Sequence, residues 1–593
     1  MVKRFPPFGL REYALLADGE RGALVGPFGE IAWLCAPRWD SEPVFAGLIG
    51  GTGVYAVTPA GRFVPGGYYE DGGLIRRGRW VTEDGVVECR EALALPADPH
   101  RLVLLRRLSA DYGPARLRLR LEPGTGFGPG RPADPCRTEG GWTVRSGRLR
   151  LRWSGAGAAA ARPGPGGRLT AEAVLGPGER LDLVLEVSDR RLAGPPPEPE
   201  RCWRATERAW RDAVPALDDT LDRRDARFSY AVLWGLTSPG SGGMVAAATT
   251  SLPERAEAGR NYDYRYVWIR DQCLAGQAVA ACGPYRLLDD AVRFTAARLD
   301  EDGPRLAPAY TVTGGRVPDQ HAVDLPGYPG GHDQVGNRVT RQFQLDVFGE
   351  ALLLFAAAAR RDRLDPRARG AVRTAVDAVA RRWREPDSGI WELDERAWTH
   401  SRLICAAGLR AIARPDAAGP AGVPDGLAAS LAGLADRLLA HTARHALHPS
   451  GRWQRSPADP APDVALLLPP LRGTPAPDDP RTVATLRACR EELTDGHHVY
   501  RFRHDERPPA EAEGAFVLCG FLMALAERQQ GDAVEAARWF EATRGLCGSA
   551  GLFSEEYDIA QRQQRGNLPQ AFVHAMMLEC GARLARPERP WGV

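Results

Sequence analysis

The 593-residue sequence lacks any apolar run of the ~18 residues that a membrane-spanning helix needs. It also lacks a basic block, because 77 Lys and Arg residues nearly balance 75 Asp and Glu residues. We therefore expect neither a membrane nor a nucleic-acid partner. No apolar segment follows Lys3 and Arg4, so we also expect no secretory signal and a cytoplasmic location. Oligomeric state is left open.

Paired cysteines and several catalytic signatures are missing too. The 11 cysteines are scattered, their number is odd and no Cys-x-x-Cys pair occurs. This pattern is typical of reduced, mostly buried thiols and predicts no metal site. Gly-x-Ser-x-Gly, Walker, dinucleotide-binding and His-Glu-x-x-His motifs are absent. Their absence argues against the enzyme classes that they mark, and we predict no cofactor.

Short alternating runs predict β-structure between about residue 10 and residue 190. Apolar and polar residues alternate approximately along 102–108, 115–121, 149–153 and 181–187, and Gly, Pro and Asp residues separate these runs. Within residues 116–121 (RLRLRL) the alternation is strict, so one face of that strand should meet water. We predict an N-terminal antiparallel β-sandwich over residues 1–192.

A proline-rich stretch ends the β region. Residues 193–200 (AGPPPEPE) cannot continue a strand or a helix, and a helical pattern follows from Arg201 to about Ala213. We predict a linker with one helix over residues 193–224.

Beyond residue 225 the apolar spacing becomes that of helices. No convincing strand lies among these helices, which excludes an α/β barrel, and no solenoid repeat is visible. Residues 225–593 are predicted to close into a toroid of helical hairpins with its long loops at one mouth, where chemistry would lie.

The densest of these loops is residues 260–271 (RNYDYRYVWIRD), with four aromatic rings, three arginines and two carboxylates. Arg270 and Asp271 stand side by side at a predicted helix N-terminus, where a guanidinium and a carboxylate can each bind two hydroxyls of a sugar ring. The alternative is a surface ion-pair cluster above packed aromatic rings.

Two acidic segments offer a pair of catalytic carboxyls. Glu392 follows Ile390 and Trp391, so we expect apolar surroundings that favour its protonated form, as a general acid requires. The alternative is a carboxylate that stabilises a helix N-terminus. Residues 555–558 (EEYD) could supply an ionised general base or calcium ligands, although no familiar calcium-loop spacing is present. An acid and a base on loops at one mouth is the arrangement for glycoside hydrolysis.

Several motifs together resemble the bacterial branch of glycoside hydrolase family 15, which holds glucoamylases, glucodextranases and some trehalases. They occur in the family's order, as GEIAWLCAPRWDS (29–41), TTSLPE (249–254), RNYDYRYVWIRD (260–271), QLDVFGE (344–350), GIWE (389–392), EGAF (513–516) and SEEYD (554–558). The resemblance implies a β-sandwich, a helical linker and an (α/α)6 barrel. It also implies exo-acting hydrolysis of an α-glucosidic bond with inversion.

Matching positions imply residue roles. Glu392 matches the general acid and Glu555 the general base. The residues implied to bind the substrate are Arg270, Asp271, Trp268, Tyr264, Trp391, Glu556 and, by a looser match, Arg501.

From the resemblance we predict a glucoamylase-like enzyme, with a trehalase as the alternative and a catalytically silent relative as a third possibility. A glucoamylase-like enzyme would release β-glucose from the non-reducing ends of short oligosaccharides of maltose or isomaltose type. A trehalase would differ in what its aglycone subsite accepts. A catalytically silent sugar-binding relative would belong to another class, although both glutamates are present.

Overall fold

The N-terminal part of the computed structural model, which describes residues 5–128, 130–255, 260–504 and 512–586, consists of two antiparallel sheets. The first sheet contains Ala14–Ala17, Gly22–Val25, Glu30–Cys35, Pro43–Phe45, Val54–Pro59, Ala115–Glu122, Arg162–Pro163 and Leu169–Leu175. The second contains Phe63–Tyr69, Arg76–Thr82, Val86–Leu93, Arg101–Tyr112, Cys136–Thr138, Gly141–Ser146, Leu149–Ser154 and Arg180–Ser188. The predicted sandwich is confirmed.

Alternation along the strands explains how the sheets pack. In Ala115–Glu122 the leucines are buried, whereas Arg116 and Arg118 are exposed. Leu117 and Leu119 join an apolar core to which both sheets contribute. Since side chains alternate between the two faces of a strand, this pattern gives the sheet one wet face and one core face.

The linker helix Pro199–Ala213 follows the proline-rich stretch. Glu198 caps it by accepting hydrogen bonds from the backbone N–H groups of Glu200 and Arg201, and Pro199 occupies the first turn. Trp203 packs under the guanidinium of Arg90 from the second sheet, 4.4 Å from its ring centroid. The domain boundaries proposed from the sequence remain predictions.

Within the described residues, six inner helices form a closed ring, and each packs mainly against one outer helix. The inner elements are Ile269–Cys282, Asp346–Ala359, Thr399–Ala413, Leu468–Leu471 (continuing the 3-10 turn Val464–Leu467), Val517–Gln529 and Ala571–Leu584. The outer helices are Arg223–Leu236, Arg286–Asp302, Pro366–Arg382, Asp425–His445, Pro480–Glu492 and Ala533–Arg544. The long inner helices are buried on nearly all sides, as an apolar helix inside a ring must be. The fold is an (α/α)6 barrel.

One feature departs from the sequence-based expectation. Short strands lie between the helices, among them Val267–Trp268 paired with Ala309–Tyr310, and Glu556–Asp558 paired with Ala515–Phe516. Such strands of two or three residues are too short to show a period. In the described part of the chain no helix is long and apolar enough to cross a membrane.

The sandwich supports the loop that carries the densest motif. The indole N–H of Trp33 donates to the carbonyl of Ala248 at 2.9 Å. Arg265 pairs with Asp263 and donates from Nη1 to the carbonyl of Ser41 at 2.8 Å. Because these bonds are buried or partly buried, the sandwich holds residues 246–255 and 260–266 against the barrel mouth.

Candidate active site

A cavity of about 450 Å³ opens at the mouth of the barrel. Its walls come from loops that precede the inner helices, and they include all the predicted site residues except Glu556. The lining contains Glu254, Arg260, Tyr262, Tyr264, Trp268, Arg270, Asp271, Gln320, Asn337, Arg338, Gln342, Trp391, Glu392, Arg501, His504, Phe516 and Glu555. Long loops at one mouth were expected from the sequence, and they build one concave site.

Arg270 and Asp271 form an ion pair in this lining, with side chains 11% and 1% exposed. Both belong to the first turn of the inner helix Ile269–Cys282. Arg270 donates from Nε to Asp271 Oδ1 at 3.0 Å and from Nη1 to the carbonyl of Ile390 at 2.6 Å. Burial raises the pKa of Asp271 to about 6, although the Arg270 charge opposes the rise. The two groups are fixed in place, with polar edges available for hydroxyls.

Glu392 stands on a turn with a left-handed backbone, at φ 58°. Its Oε1 accepts a hydrogen bond from Trp268 Nε1 at 2.5 Å and lies 3.7 Å from Arg270 Nη1. The next helix begins only at Thr399, so Glu392 does not stabilise a helix N-terminus. The side chain is 25% exposed, which is wetter than the apolar setting expected from the sequence. A non-glycine residue in this conformation is costly, and such strain is typical of functional sites.

Glu555 occupies a different environment. It is 3% exposed, and its Oε1 accepts a hydrogen bond from the hydroxyl of Tyr264 at 3.1 Å. Burial raises the pKa of this carboxyl well above its usual range, and the nearby charge of Glu254 adds to the rise. Arg501 and the Tyr264 hydroxyl act in the opposite direction.

An aromatic pair joins the two carboxyls. The rings of Tyr264 and Trp268 meet edge to face, with centroids 5.3 Å apart. Tyr264 donates to Glu555, and Trp268 donates to Glu392. Because buried aromatic rings hold their orientation by packing, this pair sets the relative position of two carboxyls that are distant in sequence.

Arg501 lines the cavity but is largely committed to protein partners. Its Nε and Nη2 donate to Glu513 Oε2 at 3.0 and 2.6 Å, and Nη2 also lies 3.6 Å from Glu556 Oε1. Glu556 accepts a hydrogen bond from the backbone N–H of Gly514 at 2.8 Å. This bond and Arg501 draw the Glu556 carboxylate away from the cavity, so the structure does not bring Glu556 to the predicted substrate site.

Trp391 presents a ring to the cavity. Its Nε1 donates to Asp463 at 2.9 Å, and its ring meets Phe516 edge to face at 5.3 Å. Both contacts fix the ring plane beside Glu392.

Sequence reasoning did not assign a role to Glu254, Arg260, His504 or Glu513. Glu254 is the last residue of one motif quoted above, and Glu513 is the first residue of another. Their positions in these motifs could have identified them as site residues. His504 stands in no such motif, and nothing in its sequence neighbourhood identified it. Over the described ranges, no group of three or more His, Cys, Asp and Glu side chains is arranged to hold a metal ion.

Comparison with known proteins gives two family matches. The family model described as glycosyl hydrolases family 15 matches residues 229–582, which is more than half of the chain. A second model, described as trehalase-like, N-terminal, matches residues 7–201.

Similar proteins cover nearly the whole chain. A trehalase from Mycobacterium tuberculosis is 29% identical over 98% of this chain and 90% of its own length. A trehalase from Mycolicibacterium smegmatis is 28% identical, with coverages of 98% and 92%. Among solved structures, a bacterial glucoamylase complexed with acarbose superposes with a TM-score of 0.69 at 13% identity, over 98% of this chain and 95% of that one. This last similarity concerns the fold.

Proposed function

The chain belongs to the glycosyl hydrolases family 15, and from this premise we propose that it is an inverting α-glucoside hydrolase whose substrate is α,α-trehalose. The observation that carries the chemistry is the pair of glutamates that line one cavity. Glu392 and Glu555 each accept a hydrogen bond from one member of the Tyr264–Trp268 pair. Hydrolysis of a glycosidic bond generally requires such a pair of carboxyl groups.

In this proposal Glu392 is the general acid and Glu555 the general base. Glu392 gives its proton to the glycosidic oxygen as the bond to C1 breaks. A water molecule attacks C1 from the opposite face and loses a proton to Glu555. Inversion requires the carboxyls to stand ~6.5–9.5 Å apart so that this water fits. The Tyr264 hydroxyl orients the base through its bond to Oε1.

The bound sugar whose C1 reacts, the glycone, is placed at Arg270 and Asp271. Their buried side chains offer donors and acceptors for adjacent hydroxyls, at the end of the cavity next to Glu392. Trp268, Tyr264 and Trp391 would wall the ring, while Arg501 would act at the edge of the site through its remaining donors.

Trehalose is preferred over maltose-type or isomaltose-type substrates because of the relatives. Two proteins named trehalase match nearly their full length to this chain, and the N-terminal match is to a trehalase-like domain.

The test is product analysis by NMR with the purified protein and trehalose, maltose, isomaltose or panose. Inverting hydrolysis of α,α-trehalose yields equal amounts of α-glucose and β-glucose before mutarotation, whereas a retaining enzyme yields α-glucose alone. Faster release of glucose from maltose or isomaltose than from trehalose would show that the enzyme prefers glucoamylase-like substrates. Binding without release from any of the four would indicate a silent sugar-binding protein.

We also propose a cytoplasmic location, since all 11 cysteines are free thiols. Activity in the soluble fraction of spheroplasts supports this proposal. Activity confined to the released periplasmic or culture fraction would contradict it.

A further inference from the structure

An extended segment leads from the catalytic pair toward the mouth of the cavity. Residues 260–266 pair with residues 246–254 through backbone bonds from Ala247 to Tyr264 (2.9 Å) and from Ser251 to Tyr262 (3.0 Å). In extended chain alternate side chains share a face. Arg260, Tyr262 and Tyr264 line the cavity, as does Asn261, whereas Asp263 and Arg265 do not.

Exposure along this face gives its direction. Trp268 is 1% exposed and Tyr264 is half-buried, whereas Tyr262 is 36% exposed. The Arg260 side chain is 26% exposed, compared with 11% for Arg270. Exposure thus rises from Trp268 through Tyr264 to Tyr262, and Arg260, the next residue on this face, is partly exposed.

Tyr262 lies one step beyond the group that contacts the base. Its ring is nearly parallel to that of Tyr264, at 8°, with centroids 6.2 Å apart. This distance matches the ~6.6 Å advance of two extended residues. A step of this length is of the order of one pyranose ring, so Tyr262 stands where the second sugar of a disaccharide would follow the first.

Arg260 is held in place by a bridge through His504. Arg260 Nη2 donates to His504 Nδ1 at 2.7 Å, and His504 Nε2 donates to Glu513 Oε2, also at 2.7 Å. A guanidinium can only donate and a carboxylate can only accept, so the bridging imidazole is neutral with its proton on Nε2. Burial lowers the pKa of His504, in agreement with this state.

The bridge uses only part of the donor capacity of Arg260. A guanidinium carries five N–H groups, and among the described residues the contacts of Arg260 with His504, Glu513 and Glu254 involve Nη1 and Nη2. An anchored, partly exposed guanidinium beside an exposed aromatic face is well suited to a sugar, because it can donate to hydroxyl oxygens while the ring packs on an apolar sugar face.

We propose that Tyr262 and Arg260 form the subsite for the second sugar, the leaving glucose, and so determine which disaccharide is cleaved. The inference rests on the proposed function and adds to it the residues that recognise the aglycone. In this subsite the ring of Tyr262 packs on the sugar, and Arg260 donates hydrogen bonds to the sugar hydroxyls. His504 and Glu513 hold Arg260 in position.

The experiment compares two substrates in each variant. α,α-Trehalose places its second glucose in the proposed subsite. α-Glucosyl fluoride fills only the glycone site, and its leaving group is fluoride ion. The variants are Arg260→Met, which keeps the aliphatic stem, and Tyr262→Ala. Arg341→Met is the matched control, because Arg341 pairs with Asp319 at 3.0 Å and lies outside the cavity lining.

For Arg260→Met and for Tyr262→Ala, the ratio of kcat/KM on trehalose to kcat/KM on the fluoride should fall ~10- to 100-fold, the size expected for a lost charged hydrogen bond or a lost stacking contact. Arg341→Met should leave the ratio unchanged. An unchanged ratio in both test variants, with or without a common loss of rate, would overturn the subsite. Absence of fluoride hydrolysis by the wild-type protein would instead refute the proposed function.

Discussion

The two glutamates on the cavity wall differ more than their shared residue type suggests. Glu392 lies on a strained turn, is a quarter exposed and has a guanidinium 3.7 Å away. Glu555 is buried beside a short strand, and its nearest charged neighbours include another glutamate, Glu254. One carboxyl is near solvent and a cation, whereas the other is buried among charges of both signs, with Glu254 raising its pKa and Arg501 lowering it.

This difference shows that burial alone does not assign the acid and the base. A buried carboxyl near another carboxylate holds its proton to a higher pH. Glu555 can therefore act as the base only above its raised pKa, so it sets a lower limit to the working pH range. The expected apolar setting of Glu392 is not found, and its role as the acid rests on the family resemblance and on its position beside the glycone site.

Replacing each glutamate by glutamine tests this comparison with the largest expected effect. Glu555→Gln should lower kcat ~1,000-fold or more on both trehalose and α-glucosyl fluoride, because both reactions need an activated water. Glu392→Gln should cause a similar loss on trehalose but a much smaller loss on the fluoride, since fluoride leaves without a proton. Steady-state kinetics on both substrates gives the result.

Glu395→Gln is a suitable control, because Glu395 is an exposed residue near Glu392 that does not line the cavity. Its rates should match those of the wild type. If Glu392→Gln lost the fluoride reaction and Glu555→Gln retained it, the two assignments would have to be exchanged.

Much of the fold follows from sequence periodicity. The alternation in residues 116–121 gave a strand with one wet face, and Arg116 and Arg118 are indeed exposed. Helical spacing gave the long inner and outer helices. It did not show the inner element Leu468–Leu471, because four residues containing two prolines are shorter than any window in which a helical period can be recognised.

The site was less accessible from the sequence. Glu392 and Glu555 could be named because they stand in recognisable motifs. The sequence could not show that Glu556, adjacent to Glu555, turns to Gly514 and Arg501, since the direction of a side chain in a loop depends on partners distant in the chain. The bridge from Arg260 through His504 to Glu513 is equally non-local.

Glu254→Gln tests the difference between the two glutamates through the pH dependence of kcat/KM. The Glu254 charge raises the pKa of Glu555, so its removal should lower that pKa. Because Glu555 must be ionised, activity is lost as the pH falls through its pKa, and the acidic limb of kcat/KM should move to lower pH. The profile on α-glucosyl fluoride isolates the base, since that reaction needs no acid. A limb that moved to higher pH would contradict the proposed electrostatic influence.

Tyr264→Phe should give the smaller shift, in the opposite direction. The Tyr264 hydroxyl bond lowers the pKa of Glu555, but less than Glu254 raises it. Loss of the hydroxyl should move the acidic limb to higher pH, while the phenyl ring keeps its edge contact with Trp268. Tyr262→Phe removes the hydroxyl of the next ring along the segment. It should leave the acidic limb of kcat/KM measured with α-glucosyl fluoride unchanged. Equal shifts in both variants would mean that cavity polarity, and not the bond from Tyr264 to Glu555, controls the ionisation of the base.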